Sequence, residues 1–122
     1  DEFVRNHTNQ RQIGKGMMLT NFDRTLAPNR ALIRRIKDTA NTLHKPLQLD
    51  MFNGGGTDGG EAHKSRDGKP TAVSCLPVRY GHCAYSIAHL QDIADAIDIF
   101  TELIVNFDEA AYRASINFLK GV

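Results

Sequence analysis

The stretch PLQLDMFNGGGTDGGEAHKSR, residues 46–66, decides the fold. Leu47, Leu49 and Met51 alternate with Gln48 and Asp50, the period-two pattern of a half-buried strand. Glycines 54–56 and 59–60 then surround Thr57 and Asp58, and EAHKSR reads as a short helix. Glycine loses more conformational freedom on folding than any other residue, so a cluster needs a reason. Either a turn requires positive φ there, or something must approach the backbone closely. The loop lies outside the carboxyl end of a strand, where open α/β sheets bind ligands.

Working outward, the same alternation of elements recurs. Upstream, IGKGMMLTNF predicts a strand after a Gly-Lys-Gly turn, behind a polar arm at 1–12. Pro28 suits the first turn of a helix, and Leu32, Ile36, Ala40 and Leu43 repeat at helical spacing, predicting a helix over about 28–44. HKP at 44–46 ends it, because a residue before proline is pushed out of the helical region. Downstream, RDGKP at 66–70 is turn chemistry, and TAVSCLPV at 71–78 predicts a strand covered on both faces. RYGHCAYSIAHL is irregular. From Asp92, a predicted N-cap, Ile93, Ile97, Phe100, Ile104 and Phe107 repeat at spacings of four and three, predicting a helix buried on that stripe. Residues 109–119 are weakly helical. Strands alternating with helices make this an α/β layer architecture in one domain, residues 1–122.

The composition narrows the classes of function. A net charge of +1 gives no electrostatic footprint for nucleic acid, and the Arg30, Arg34, Lys37 stripe reads as a solvated helix face. No apolar run approaches the roughly 18 residues of a membrane span. Two cysteines, Cys75 and Cys83, make no disulfide framework and fit a reducing, cytoplasmic setting. They do not combine with His63 into a zinc site either, since no CxxC or HxxxH spacing is present. The glycine loop is no Walker loop, because no GK[ST] closes it. His82 follows the predicted strand 71–78, at the same kind of sheet edge, so it and the loop are candidates to converge. A lone histidine serves as a metal ligand or as an ordinary hydrogen-bonded side chain, and spacing alone leaves both open.

The ordered series GKG at 14–16, GGGTD at 54–58, GKPTAVSCLPVRYGH at 68–82 and the helix from Asp92 resembles the M42 metallo-aminopeptidases, the tetrahedral or glutamyl aminopeptidase family. The resemblance runs over roughly residues 7–107. It implies a mixed sheet flanked by helices in the three-layer, phosphorylase/hydrolase-like architecture of zinc peptidases, incomplete in this chain. It implies a metal-dependent aminopeptidase that removes N-terminal residues from short peptides, using two divalent metal ions, zinc or cobalt, to activate water. The histidine of PxRYxH is a terminal metal ligand in that family, which maps to His82. The GGTD loop lies beside the substrate cleft, which makes Gly56, Thr57 and Asp58 the substrate-binding candidates. Family members assemble from dimers into hollow dodecamers.

Three positions depart from the family's pattern: Cys83 and Ser86 stand where Ser and Glu are usual, and TDGG replaces TDAG. The family's other metal ligands and its catalytic glutamate precede the GKG motif, and this chain holds no Glu-Glu pair or His-x-Asp to replace them. The expectation is therefore the C-terminal portion of a catalytic domain, inactive until joined to its N-terminal part. A second reading is a non-catalytic α/β module that binds a peptide or an anion through loop 54–60. The two differ in whether strand 71–78 is central and the sheet leaves an apolar edge open.

Overall fold

The computed structural model describes residues 11–52 and 54–117. Most of the expected arm 1–12 lies outside them. In order the elements are β1 (Met17–Asp23), α1 (Arg30–Thr42), β2 (Leu47–Phe52), α2 (Gly59–Ala62), β3 (Ser74–Cys75), β4 (Val78–Arg79), β5 (Ile87–Ala88), α3 (Leu90–Val105) and α4 (Glu109–Ile116). The α/β expectation holds: β2 and β1 run parallel through the α1 crossover, β3 joins β1 antiparallel, and the sheet order is β2-β1-β3.

α1 begins one residue after its N-cap, Asn29, whose side chain accepts from Leu32 N–H. Pro28 therefore stands just outside the helix. The helix ends by a backbone device the sequence reading did not include. His44 adopts left-handed φ of +53, its N–H reaches Asn41 O, and Lys45 N–H reaches Ala40 O. Those two bonds satisfy carbonyls that a helix terminus would otherwise leave open.

Met17 and Leu19 on β1 pack with Ile33, Ile36 and Ala40 of α1 and Ile99 of α3, forming the buried core. β1 is the central strand of the described sheet. Strand 71–78, expected to be continuous and buried on both faces, is instead broken into β3 and β4, and its residues are half-buried apart from buried Pro77 and exposed Val78. Pro77 lacks the N–H a ladder needs, so pairing stops before it. β4 turns away to pair with β5, making a hairpin of the segment read as irregular.

α3 starts three residues earlier than expected. His89, not Asp92, is the N-cap, its Nδ1 accepting from Gln91 N–H. The buried stripe is also rotated. Ala96, Ile99, Phe100 and Leu103 face the core, while Ile97 and Ile104 are 60% and 70% exposed. Buried Asp92 and Asp95 share the inward face because each has partners there. Asp92 accepts Gly14 N–H at 2.7 Å and Gly16 N–H at 2.8 Å, and Asp95 pairs with Lys45 Nζ at 2.8 Å. No helix among the described residues is long and apolar enough to cross a membrane, and both cysteines are free thiols.

Candidate active-site edge

Parallel pairing puts the carboxyl ends of β1 and β2 side by side, with Asp23 opposite Phe52. The register slips by one residue between Thr20 and Phe22. A bulge of this kind re-aims the side chains beyond it. Here it is Asp23, at the strand's end, that is re-aimed, next to the start of the glycine loop. Asp23 is completely buried. Its Oδ2 accepts the Thr57 hydroxyl at 2.5 Å, and its Oδ1 accepts Thr25 N–H at 2.7 Å and the Thr25 hydroxyl at 2.8 Å. Burial on its own raises this carboxyl, but the hydrogen bonds from Thr57, Thr25 and Leu26 outweigh it and hold the pKa below the ordinary value.

The glycines are explained by what lies against them. None of 54–56, 59 or 60 has positive φ; among the described glycines only Gly14, Gly16 and Gly68 do. A Cβ on Gly56 would sit 2.6 Å from Thr25 Cγ2, and one on Gly60 2.2 Å from Thr25 Oγ1. On Gly59 it would meet Val73 Cγ2 at 2.3 Å, whereas Gly54 and Gly55 have open space. The close approach is made by the chain's own Thr25, Val73 and Leu26. The loop is also tied by Arg24 N–H, which donates to Gly55 O at 3.0 Å.

Within the loop Thr57 is half-buried, while Gly56 and Asp58 are exposed. Asp58 precedes α2 without capping it through its side chain, so its carboxylate stands clear at the surface. The N–H groups of Gly60, Glu61 and Ala62 already donate to Thr57 O or Asp58 O, which leaves them unavailable to an anion.

His82 lies in loop 80–86, at the tip of the β4–β5 hairpin, and is exposed. Its φ is +62 and that of Tyr80 is +58, left-handed values either side of Gly81. Each such non-glycine residue costs about 1–2 kcal/mol. Strain of this kind persists where surrounding structure imposes it and is frequent at functional sites. Tyr80 and Tyr85 brace the loop edge to face, with centroids 5.6 Å apart.

No hydrogen bond or ion pair joins His82 to loop 54–60 among the described residues. No group of three or more His, Cys, Asp or Glu side chains among them is placed to hold a metal ion. The described side chains thus do not make a two-metal centre by themselves. Burial pushes the Cys75 thiol up, with Thr20 partly opposing, as suits an inert strand cysteine. Two depressions, of about 290 and 390 Å³, lie between α1 and α3 and beside Leu47 and Leu49, and neither includes the loop or His82.

Sequence reasoning missed Asp23 and Thr25. Their signal was present: a carboxylate ending a strand that opens with the apolar run Met17–Leu19, at the sheet edge that also carries the glycine loop.

Known proteins share this fold and parts of this sequence. The chain is 37% identical over 71 residues to FrvX of Escherichia coli K12, named as a candidate aminopeptidase, covering 58% of this chain and 20% of that protein. Its fold matches a TET aminopeptidase of a marine sediment Thaumarchaeota archaeon with a TM-score of 0.89 and 32% identity, over 94% of this chain and 32% of that one. It also matches the fold of the Pyrococcus horikoshii TET1 peptidase, which assembles into a tetrahedron or a large octahedral shell, with a TM-score of 0.69 and 24% identity over 79% of this chain and 28% of that one. The chain thus spans a fifth to a third of the length of these relatives. The model of the M42 glutamyl aminopeptidases matches residues 1–99, and the chain belongs to that family.

Proposed function

We propose that this chain is part of a metal-dependent aminopeptidase that removes N-terminal residues from short peptides. His82 supplies one ligand to a centre of two divalent ions, zinc or cobalt, whose other ligands come from residues beyond this chain. Gly56, Thr57 and Asp58 form one wall of the substrate cleft, where the exposed Asp58 carboxylate suits the positive charge of a free peptide amino terminus. The observation that carries the reading is His82 itself, exposed and held in left-handed backbone within the PVRYGH motif. Bound metal would supply an activated water. This chain's own residues present a ligand and orient the peptide. Homo-oligomeric assembly in the cytoplasm, as dimers up to a dodecamer, completes the proposal, and the TET1 assembly supports its oligomeric part.

The test is the metal content of the intact enzyme by elemental analysis. About two zinc or cobalt ions per chain are expected, with one lost in His82→Ala and hydrolysis of aminoacyl-p-nitroanilides abolished. Full occupancy of both sites in His82→Ala would remove the ligand assignment. The 122-residue chain by itself is expected to show no turnover.

A further inference from the structure

We infer that Asp23 is a positioning residue for substrate binding, whose buried carboxylate fixes the Thr57-Asp58 loop in the orientation that meets the peptide. The inference rests on the proposed role of that loop. Asp23 does not reach solvent and so does not touch substrate. Its hydrogen bonds to Thr57 and Thr25 instead hold both sides of a clasp. One oxygen grips Thr57 in the loop, and the other grips Thr25 through N–H and hydroxyl together.

Thr25 in turn fills the space that side chains on Gly56 and Gly60 would take. Arg24 completes the clasp through Gly55. Residues 23–25 therefore grip the loop at Gly55, Gly56, Thr57 and Gly60, leaving Asp58 exposed between the fixed points.

A glycine-rich loop is costly to hold in one conformation, and five of the seven residues from 54 to 60 are glycine. Hydrogen bonds to an ionised acceptor are about twice as strong as neutral ones, which suits a carboxylate to this task. A buried carboxylate directed at a surface loop serves the loop more than the core. The core cluster of Met17, Leu19, Ile33, Ile36, Ala40 and Ile99 is complete without it. Side chains that hold a site to its working geometry from behind are the support a loop-borne site requires.

The test compares Asp23→Asn, Thr57→Val and the double variant in the intact enzyme. Deuterium exchange of the amides at 55–60 is followed alongside KM and kcat for leucine p-nitroanilide. Asp23→Asn is expected to raise loop exchange and KM by about tenfold, the size of one lost charge-assisted hydrogen bond, with kcat within about twofold. Thr57→Val should do the same, and the double variant should be no worse than either single one. A purely structural role would lower the unfolding midpoint and leave KM unchanged, which overturns the proposal. Unchanged exchange in folded variants overturns the clasp. Faster exchange with unchanged KM overturns the substrate role of the loop and the proposal with it, while His82 keeps its separate metal test. If Asp23→Asn does not fold, Thr25→Val, which removes a hydroxyl held by Asp23 and lies outside the proposed substrate wall, decides on the same two readouts.

Discussion

Asp92 and Gly16, far apart in the chain, are joined in the interior: Asp92 Oδ1 accepts Gly16 N–H at 2.8 Å while its other oxygen takes Gly14 N–H at 2.7 Å. A single carboxylate on α3 thus closes the GKG turn that starts β1. Gly16 is buried and Gly14 exposed, so water replaces only the second bond if the carboxylate is removed. Asp92→Ala is expected to cost about 1–3 kcal/mol for the one buried donor left unpaired. Asp92→Asn, which keeps one acceptor, should cost less. Urea midpoints of the two variants check the order, and equal midpoints would count against it.

Gly16 is more constrained still. With φ at +85, a Cβ there would lie 2.0 Å from Pro46 O. Gly16→Ala combines backbone strain with a backbone clash and should be among the most damaging single changes in the chain.

The glycine loop predicts a graded series. Gly54→Ala and Gly55→Ala meet open space and should change stability by no more than about 0.5 kcal/mol, as surface substitutions do. Gly59→Ala would press on Val73 and Leu26, and Gly60→Ala on Thr25, so both should destabilise by about 1–3 kcal/mol, as overpacking does. Gly56→Val, against the Thr25 side chain, should raise KM in the intact enzyme more than it reduces metal content. A flat series across the five positions would disprove the packing explanation.

Acid should weaken the fold through Asp23 and Asp95. Lys45 is the main cause of the depressed Asp95 pKa, and hydrogen bonds that outweigh burial depress that of Asp23. A carboxyl depressed in the folded state binds its proton more readily when unfolded. Its contribution is present above the unfolded value of about 3.9 and is lost as pH falls through the folded one. Lys45 shifts the opposite way, raised first by Asp95 and then by Asp98. Its contribution is complete below about 10.4 and is lost only as pH climbs through the higher folded value. Stability from these groups should therefore be level between about pH 5 and 10. Asp95→Asn should flatten the acid limb of a stability-pH curve, and an unchanged limb would refute the assignment.

β2 forms one edge of the described sheet and carries Leu49 and Met51, 53% and 55% exposed. An open edge with apolar side chains is a template for unwanted pairing. The purified 122-residue chain is expected to aggregate, and Leu49→Lys with Met51→Lys should raise its soluble yield. In the intact enzyme the same pair should instead impair folding, if further chain covers that edge. Light scattering of both forms separates the cases.

Local pattern made much of this protein readable. The alternation at 47–52, the helical spacing through Ile36 and Ala40, and the turn chemistry of RDGKP are short-range signals, and the structure places β2, α1 and a positive-φ Gly68 where they stand. The motif series likewise led to the family. What the sequence did not disclose was set by partners distant in the chain. The face that α3 buries was expected to be the stripe through Ile97 and Ile104. Yet Asp92 and Asp95 turned inward, because Gly16, 76 residues before Asp92, and Lys45, 50 residues before Asp95, stand there to receive them. Strand 71–78 broke at Pro77, where the hydrogen-bonding partner changes from β1 to β5. Asp23 reads in sequence as the polar end of a strand, and only the folded chain brings Thr57 to it across 34 residues. Periodicity records which residues avoid water, whereas the pairing of buried charges and the packing of glycines depend on what the tertiary fold sets against them.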